Sequence, residues 1–177
     1  MIDSLVVATD GSESGERTTT VALDLAGRFD ATVHALSVVD TTEDDGTTES
    51  GENTGEETGS GSKDRIESGG TEGENGDEGS RAVRRRRAEE AVAAVSEQAG
   101  REVRTAVREG APAEVIRAYA AEFSIDLVAT GTRGRHGAHR YLLGSVAEDV
   151  VRTCPVPVLT VRQLDGTDPD PETGTET

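Results

Sequence analysis

The sequence has a single cysteine, almost no lysine and very few rings. Cys154 is the one cysteine in 177 residues, which excludes an internal disulfide framework and a cysteine-built zinc centre. Tryptophan is missing, and two tyrosines and two phenylalanines make up the whole aromatic set. Of the 18 basic residues only Lys63 is a lysine. No apolar run approaches the roughly 18 residues of a membrane-spanning helix, so no membrane span is expected. The opening Met1-Ile2-Asp3-Ser4 has no basic region leading into an apolar one, so a signal peptide is not expected and a cytoplasmic location is.

The chain does have acid in abundance, unevenly placed. Asp and Glu number 35 against 18 Lys and Arg, for a net charge of −17. Residues 41–80 hold 13 acidic residues, 10 glycines, 12 Ser/Thr and one apolar residue, Ile66. Such a segment cannot bury enough apolar surface to offset the entropy of ordering, and it reads as a disordered acidic insertion. Residues 163–177 hold five acidic residues and no basic one, and read as a disordered acidic tail. The remaining 122 residues are close to neutral, with 17 acidic and 16 basic side chains. Roughly 46% of them are apolar, ordinary for a globular domain. Residues 1–162, interrupted by 41–80, thus read as one domain of common size. A surface that is not basic argues against general nucleic-acid binding. Acid without lysine also suggests a salt-adapted proteome.

Along the domain, short apolar runs alternate with helical periodicity. Leu5-Val6-Val7-Ala8 is a continuous run suited to a central parallel strand. After the turn Asp10-Gly11-Ser12, the spacing of Val21, Leu25 and Phe29 predicts a helix over 13–29. Further strands are predicted at 33–39, at 103–107, at 125–129 and at 156–161. Helices are predicted at 81–99, from Pro112 through Phe123, and at 145–153. Strands separated by helices imply a parallel sheet covered on both faces. Ligands bind such sheets at the carboxyl ends of strands, where the winding direction reverses.

The segment from Gly131 to Ser145 carries the chemistry. It leaves the fourth strand and opens the fourth helix. Gly131 and Gly134 permit a sharp turn and close backbone approach to a ligand. Gly144 and Ser145 stand at a helix start, where unpaired N–H groups and the helix dipole attract anions. Ser145-Val146-Ala147-Glu148 fits a capping box. Arg133, Arg135 and Arg140 add positive charge. The reading is a phosphate cradle of backbone amides. The P-loop pattern is absent, and so is a dinucleotide GxGxxG after the first strand. Asp10 is a candidate cap for the first helix. His136 and His139 read as solvated loop residues, His34 and Cys154 as structural ones, and Arg84 to Arg87 as an exposed helix face partnering the acidic insertion.

At these residues the chain resembles the universal stress protein family. The nucleotide-binding subgroup carries Gly, two residues, Gly, nine residues, then Gly-Ser/Thr, matched here by Gly131, Gly134 and Gly144-Ser145. The resemblance extends to Asp10, to Val38-Val39-Asp40, to Gly110-Ala111-Pro112 and to Cys154-Pro155-Val156-Pro157-Val158. It implies a five-stranded parallel sheet in the order 3-2-1-4-5 and binding of ATP, with Mg²⁺ held mostly by the phosphates. It assigns Asp10 to the ribose or metal, Ala8 and Thr9 to the lining of the adenine pocket and Val38 to a backbone contact with adenine. Gly131, Gly134, Gly144 and Ser145 take the phosphates. The expected role is a nucleotide-responsive sensor or regulator. No catalytic set and no resident metal site are evident; a slow ATPase or phosphotransferase and a nucleotide-free interaction module are the alternatives. The implied strand order makes strand five an edge, where ATP-binding family members commonly dimerise. Pro155 and Pro157 lack N–H groups, so their side is expected to be the free edge. That places an antiparallel homodimer contact at Leu159, Val161 and Gln163.

Overall fold

The computed structural model describes residues 1–42, 74–132 and 143–162. Five strands and four helices alternate: β1 (Ser4–Ala8), α1 (Glu13–Phe29), β2 (Thr32–Val39), α2 (Glu74–Ala99), β3 (Val103–Glu109), α3 (Pro112–Glu122), β4 (Leu127–Gly131), α4 (Ser145–Thr153) and β5 (Val158–Val161). The strands form one sheet in the order β3-β2-β1-β4-β5, parallel throughout. This is the expected architecture.

The apolar runs follow from the two buried faces. Alternate residues of β1 point to opposite sides of the sheet. Leu5 and Val7 join Ala22 and Ala26 of α1 and Val92 and Val95 of α2. Val6 and Ala8 join Ile116 and Tyr119 of α3 and Val150 of α4. A strand covered on both faces has no polar side to show in its sequence. His34 is structural, as expected. It is 2% exposed, its Nδ1 lies 3.0 Å from the Tyr119 hydroxyl, and its ring packs against Phe123. Burial, with a smaller push from Arg104, holds its pKa below the ordinary histidine value, so the neutral ring is the native form.

Of the boundaries that differ from the expectation, three have a clear local reason. β4 begins at Leu127 because the Ile125 N–H closes the turn after α3 on the Ala120 carbonyl. α2 begins at Glu74 instead of Arg81, so residues 74–80 are helical. Arg81 and Arg85, one turn apart, both bond Glu109 at the end of β3 and fix this helix against the sheet. Within the basic run, Arg85 also pairs with Glu89, and Arg86 pairs with Glu90, both on the helix itself. β5 begins at Val158 because neither Pro155 nor Pro157 can donate to a neighbouring strand.

The same bonds correct the expected edge geometry. The Val128 N–H donates to the Pro157 carbonyl at 3.0 Å, and the Thr132 N–H to the Val161 carbonyl at 3.1 Å. Residues 157, 159 and 161 therefore face β4, since backbone groups alternate sides along a strand. Leu159 and Val161 are inward donors, not free-edge donors, and Gln163 lies outside the described residues. Within β5, Val158 and Thr160 point the other way, away from β4.

Asp126 ties the amino end of the first strand to the last crossover. Its Oδ2 accepts from the Asp3 and Ser4 N–H groups, each at 2.9 Å. Those bonds hold its carboxyl below the ordinary value. A depressed carboxylate pKa contributes stability above the unfolded value of about 4 and loses it as pH falls through the folded value. Asp126→Asn should therefore lower the melting temperature at pH 7, and the deficit should shrink progressively below about pH 4. Melting curves over pH 2–7 check this; a deficit independent of pH would contradict it.

Candidate nucleotide site

The sheet reverses its winding between β1 and β4. β1 runs on from Ala8 into Thr9, whose N–H bonds the Leu36 carbonyl of β2 at 3.0 Å. Ala8 is in register with Thr130 on its other side. Thr9 and Asp10 thus emerge at the carboxyl ends of the strands, beside the end of β4.

The turn into α1 is closed by its own side chains. Thr9 Oγ1 accepts from the Gly11 N–H at 3.1 Å, and Asp10 Oδ1 accepts from the Ser12 N–H at 3.0 Å. Ser12 is the cap of α1, its hydroxyl accepting from the Gly15 N–H at 3.2 Å. The expected capping role of Asp10 therefore passes to Ser12. Asp10 shapes the turn instead and is half-buried at its rim.

Gly131 is required by packing, not by the turn alone. A Cβ there would lie 2.6 Å from Ser14 Oγ and 3.1 Å from the Ser14 carbonyl carbon. The first turn of α1 therefore rests directly on the last residue of β4. Gly15 is fixed similarly, since its Cβ would come 2.7 Å from Thr9 Oγ1. Ser14 is 1% exposed, and its hydroxyl donates to the Val161 carbonyl at 3.3 Å. That carbonyl also takes the Thr132 N–H, while the Thr132 carbonyl takes the Gly144 N–H at 2.8 Å. One short chain of bonds thus joins α1, β5, β4 and the start of α4. Ser14, Gly15 and Thr132 were not among the expected site residues. The only trace of the first two is the density of small residues in Asp10-Gly11-Ser12-Glu13-Ser14-Gly15.

The amino end of α4 differs from the expectation. Gly144 is its cap and has no side chain to bond the first turn, and Ser145 is the exposed first residue of the helix. The capping box is not formed, because Gly144 and not Ser145 is the cap; Glu148 pairs with Arg152 one turn on. The first N–H groups of a helix have no partner within it, so this end carries donors and the positive end of the helix dipole. The structure brings Ala8, Thr9, Asp10, Gly131, Gly144 and Ser145 to one end of the sheet. Val38 stands at the carboxyl end of β2, two residues beyond the register partner of Ala8. Gly134 lies outside the described residues. Among the described residues no cluster of His, Cys, Asp and Glu suited to a metal ion occurs.

The universal stress protein family model matches residues 1–162. The chain belongs to the universal stress protein family. A universal stress protein of Methanocaldococcus jannaschii is 33% identical over 159 residues, covering 90% of this chain and 81% of that one. The universal stress protein of Lactobacillus plantarum has the same fold, with a TM-score of 0.67 at 22% identity, over 91% of this chain and 98% of its own. A relative from Archaeoglobus fulgidus, solved in complex with dAMP, superimposes with a TM-score of 0.56 at 19% identity, over 91% of this chain and 99% of its own.

Gly131→Ala should destabilise the ligand-free protein, because the added Cβ meets the Ser14 backbone as well as its hydroxyl. Overpacking of this kind costs about 1–3 kcal/mol, read as a lowered urea midpoint at unchanged slope. An unchanged midpoint would mean that α1 does not rest on β4 as described.

Proposed function

We propose that this universal stress protein binds ATP with Mg²⁺ and acts as a nucleotide-responsive sensor or regulator in the cytoplasm of a salt-adapted cell. The observation that carries this reading is the uncapped amino end of α4 beside Gly131 and Asp10 at the reversal of the sheet. Backbone donors and a helix dipole at a glycine-lined crevice suit a phosphate chain. The Gly131, Gly134, Gly144-Ser145 spacing and family relatives solved with dAMP and with cAMP favour an adenine nucleotide. Ala8, Thr9 and Val38 would then line the adenine side, and Asp10 would meet the ribose or the metal. Binding is the activity this reading assigns, with slow ATP hydrolysis as the alternative.

The output is a homodimer through β5. Its backbone groups at Val158 and Thr160 point away from β4, and a strand edge of this kind invites pairing. Thr160→Pro removes one free-edge donor while leaving the bonds to β4 in place. Light scattering at high salt should show a dimer for the wild type and a monomer for this variant. A monomeric wild type, or an intact dimer in the folded variant, would refute the edge contact.

For binding itself, ATP with Mg²⁺ should raise the melting temperature, since a ligand at a hundredfold excess over Kd stabilises the native state by about 2.7 kcal/mol. Asp10→Ala should reduce the shift. A wild type with no shift by any adenine nucleotide at high salt would favour a nucleotide-free interaction module.

A further inference from the structure

His34 is buried where α3 rests on the sheet. It points to the same side of β2 as Leu36 and Val38, the side covered by α3 and α4. Its Nδ1 lies 3.0 Å from the Tyr119 hydroxyl. The Tyr119 ring meets it edge-on with centroids 5.7 Å apart, and the Phe123 ring lies at 5.5 Å. Tyr119 and Phe123 also touch each other, at 4.5 Å between centroids. The buried residues of α3 are Ile116, Tyr119 and Ala120, so this ring cluster is a large share of the helix's hold on the sheet.

The charges around the ring are mostly positive. Arg104 of β3 is the register partner of His34. Arg108, farther along the same strand, holds its guanidinium 5.8 Å from the centroid of the Tyr119 ring. The carboxylate facing this cluster from α3 is Glu122, and it bonds Arg108. The neighbour on β1 is Val6, and α4 brings Val146 and Val150 to this side. Among the described residues, then, no carboxylate pairs with the ring. Burial of an unpaired charge is costly. Loss of water opposes a proton on His34 most, and Arg104 opposes it further.

We propose that His34 is an acid-sensitive latch: its neutral ring holds α3 on the sheet, and protonation at mildly acidic pH releases the helix and uncovers Tyr119 and Phe123. The helix is the part that gives. β2 is bonded to β1 on one edge and to β3 on the other, and the opposite face of the sheet is held by α1 and α2. With α3 released, the ring stands in water and takes a proton at about pH 6.5, whereas the closed form takes it only at lower pH. The closed form is therefore fully favoured above about pH 6.5 and loses ground as pH falls, by up to about tenfold per pH unit. Release would show two of the chain's four tyrosines and phenylalanines, a surface present only in acid. The latch stands apart from the nucleotide reading.

The test is amide hydrogen exchange of the full isotope-labelled chain, read as protection factors so that the intrinsic pH dependence of exchange is removed. Between about pH 7 and about pH 5.5, protection from Ile116 to Glu122 should fall about five- to eightfold. It should lie below the protection of Val6 to Ala8 and of Val128 and Ala129 throughout, as a local opening requires. His34→Gln keeps an amide to bond the Tyr119 hydroxyl and does not titrate; its α3 protection should change by less than about twofold over the same range. Ring NMR of the wild type should show His34 still neutral at about pH 6.5, where an exposed histidine is half protonated. A His34 ring that titrates there in the folded protein overturns the latch. So does wild-type α3 protection that is independent of pH, or the same fall in His34→Gln. Protection in α3 equal to that of β1 and β4 at both ends of the range would mean that the whole domain opens, and overturns release of the helix.

Discussion

The contact between Gly131 and Ser14 governs the arrangement of this end of the protein. A helix that starts against the last residue of a neighbouring strand has no space for a side chain there, and here even a methyl would reach 2.6 Å from the serine hydroxyl. The closeness sets where α1 begins and therefore where Thr9 and Asp10 emerge. It brings Ser14 to the Val161 carbonyl, which in turn holds Thr132 and, through it, Gly144. Packing and backbone bonds thus fix how the described strand ends and helix starts sit at the sheet reversal. In the proposed nucleotide site, donors held in this way would bind without a large ordering cost.

The electrostatics of the described surface are mostly local. Arg28, Arg86 and Arg152 each pair with a carboxylate one turn away, and exposed pairs of this kind contribute little each. Glu109 is different in kind, because two arginines from α2 converge on it. They hold its carboxyl below the ordinary range, the Arg81 hydrogen bond first among the causes. That clasp fixes the helix following the acidic insertion to the end of β3, beside Gly110, whose N–H closes on Val39. The charge of the insertion is therefore attached to a rigid element at the end of the sheet that carries the crevice.

Much of this was legible in the residues. Leu5 to Ala8 and Ile125 to Ala129 read as buried strands because both faces of a parallel sheet are covered, and the order of elements followed. What could not be read were facts of pairing. Pro155 and Pro157 fit two explanations equally well, a free edge that needs no donor or a strand not yet begun, and only the bonds from Val128 and Thr132 decide for the second. Ser145 followed by Glu148 has the spacing of a capping box, yet Arg152 takes the glutamate and Gly144 is the cap. Glu74 to Ser80 has the composition of the insertion, yet it continues the helix that Arg81 and Arg85 tie to Glu109, a residue distant in sequence. Ser14 and Thr132 were invisible as site residues because a serine or threonine carries no motif by itself.

The most direct test of the crevice is residue-resolved amide NMR of the isotope-labelled protein titrated with ATP and Mg²⁺ at high salt. The largest shifts should fall on Thr9, Asp10, Gly131, Thr132 and Ser145 to Ala147, with smaller ones at Val38. Saturable shifts confined to the groove between α1 and α2, around Thr20, Val21 and Gln98, or no saturable shifts at all, would contradict a nucleotide site at the reversal of the sheet.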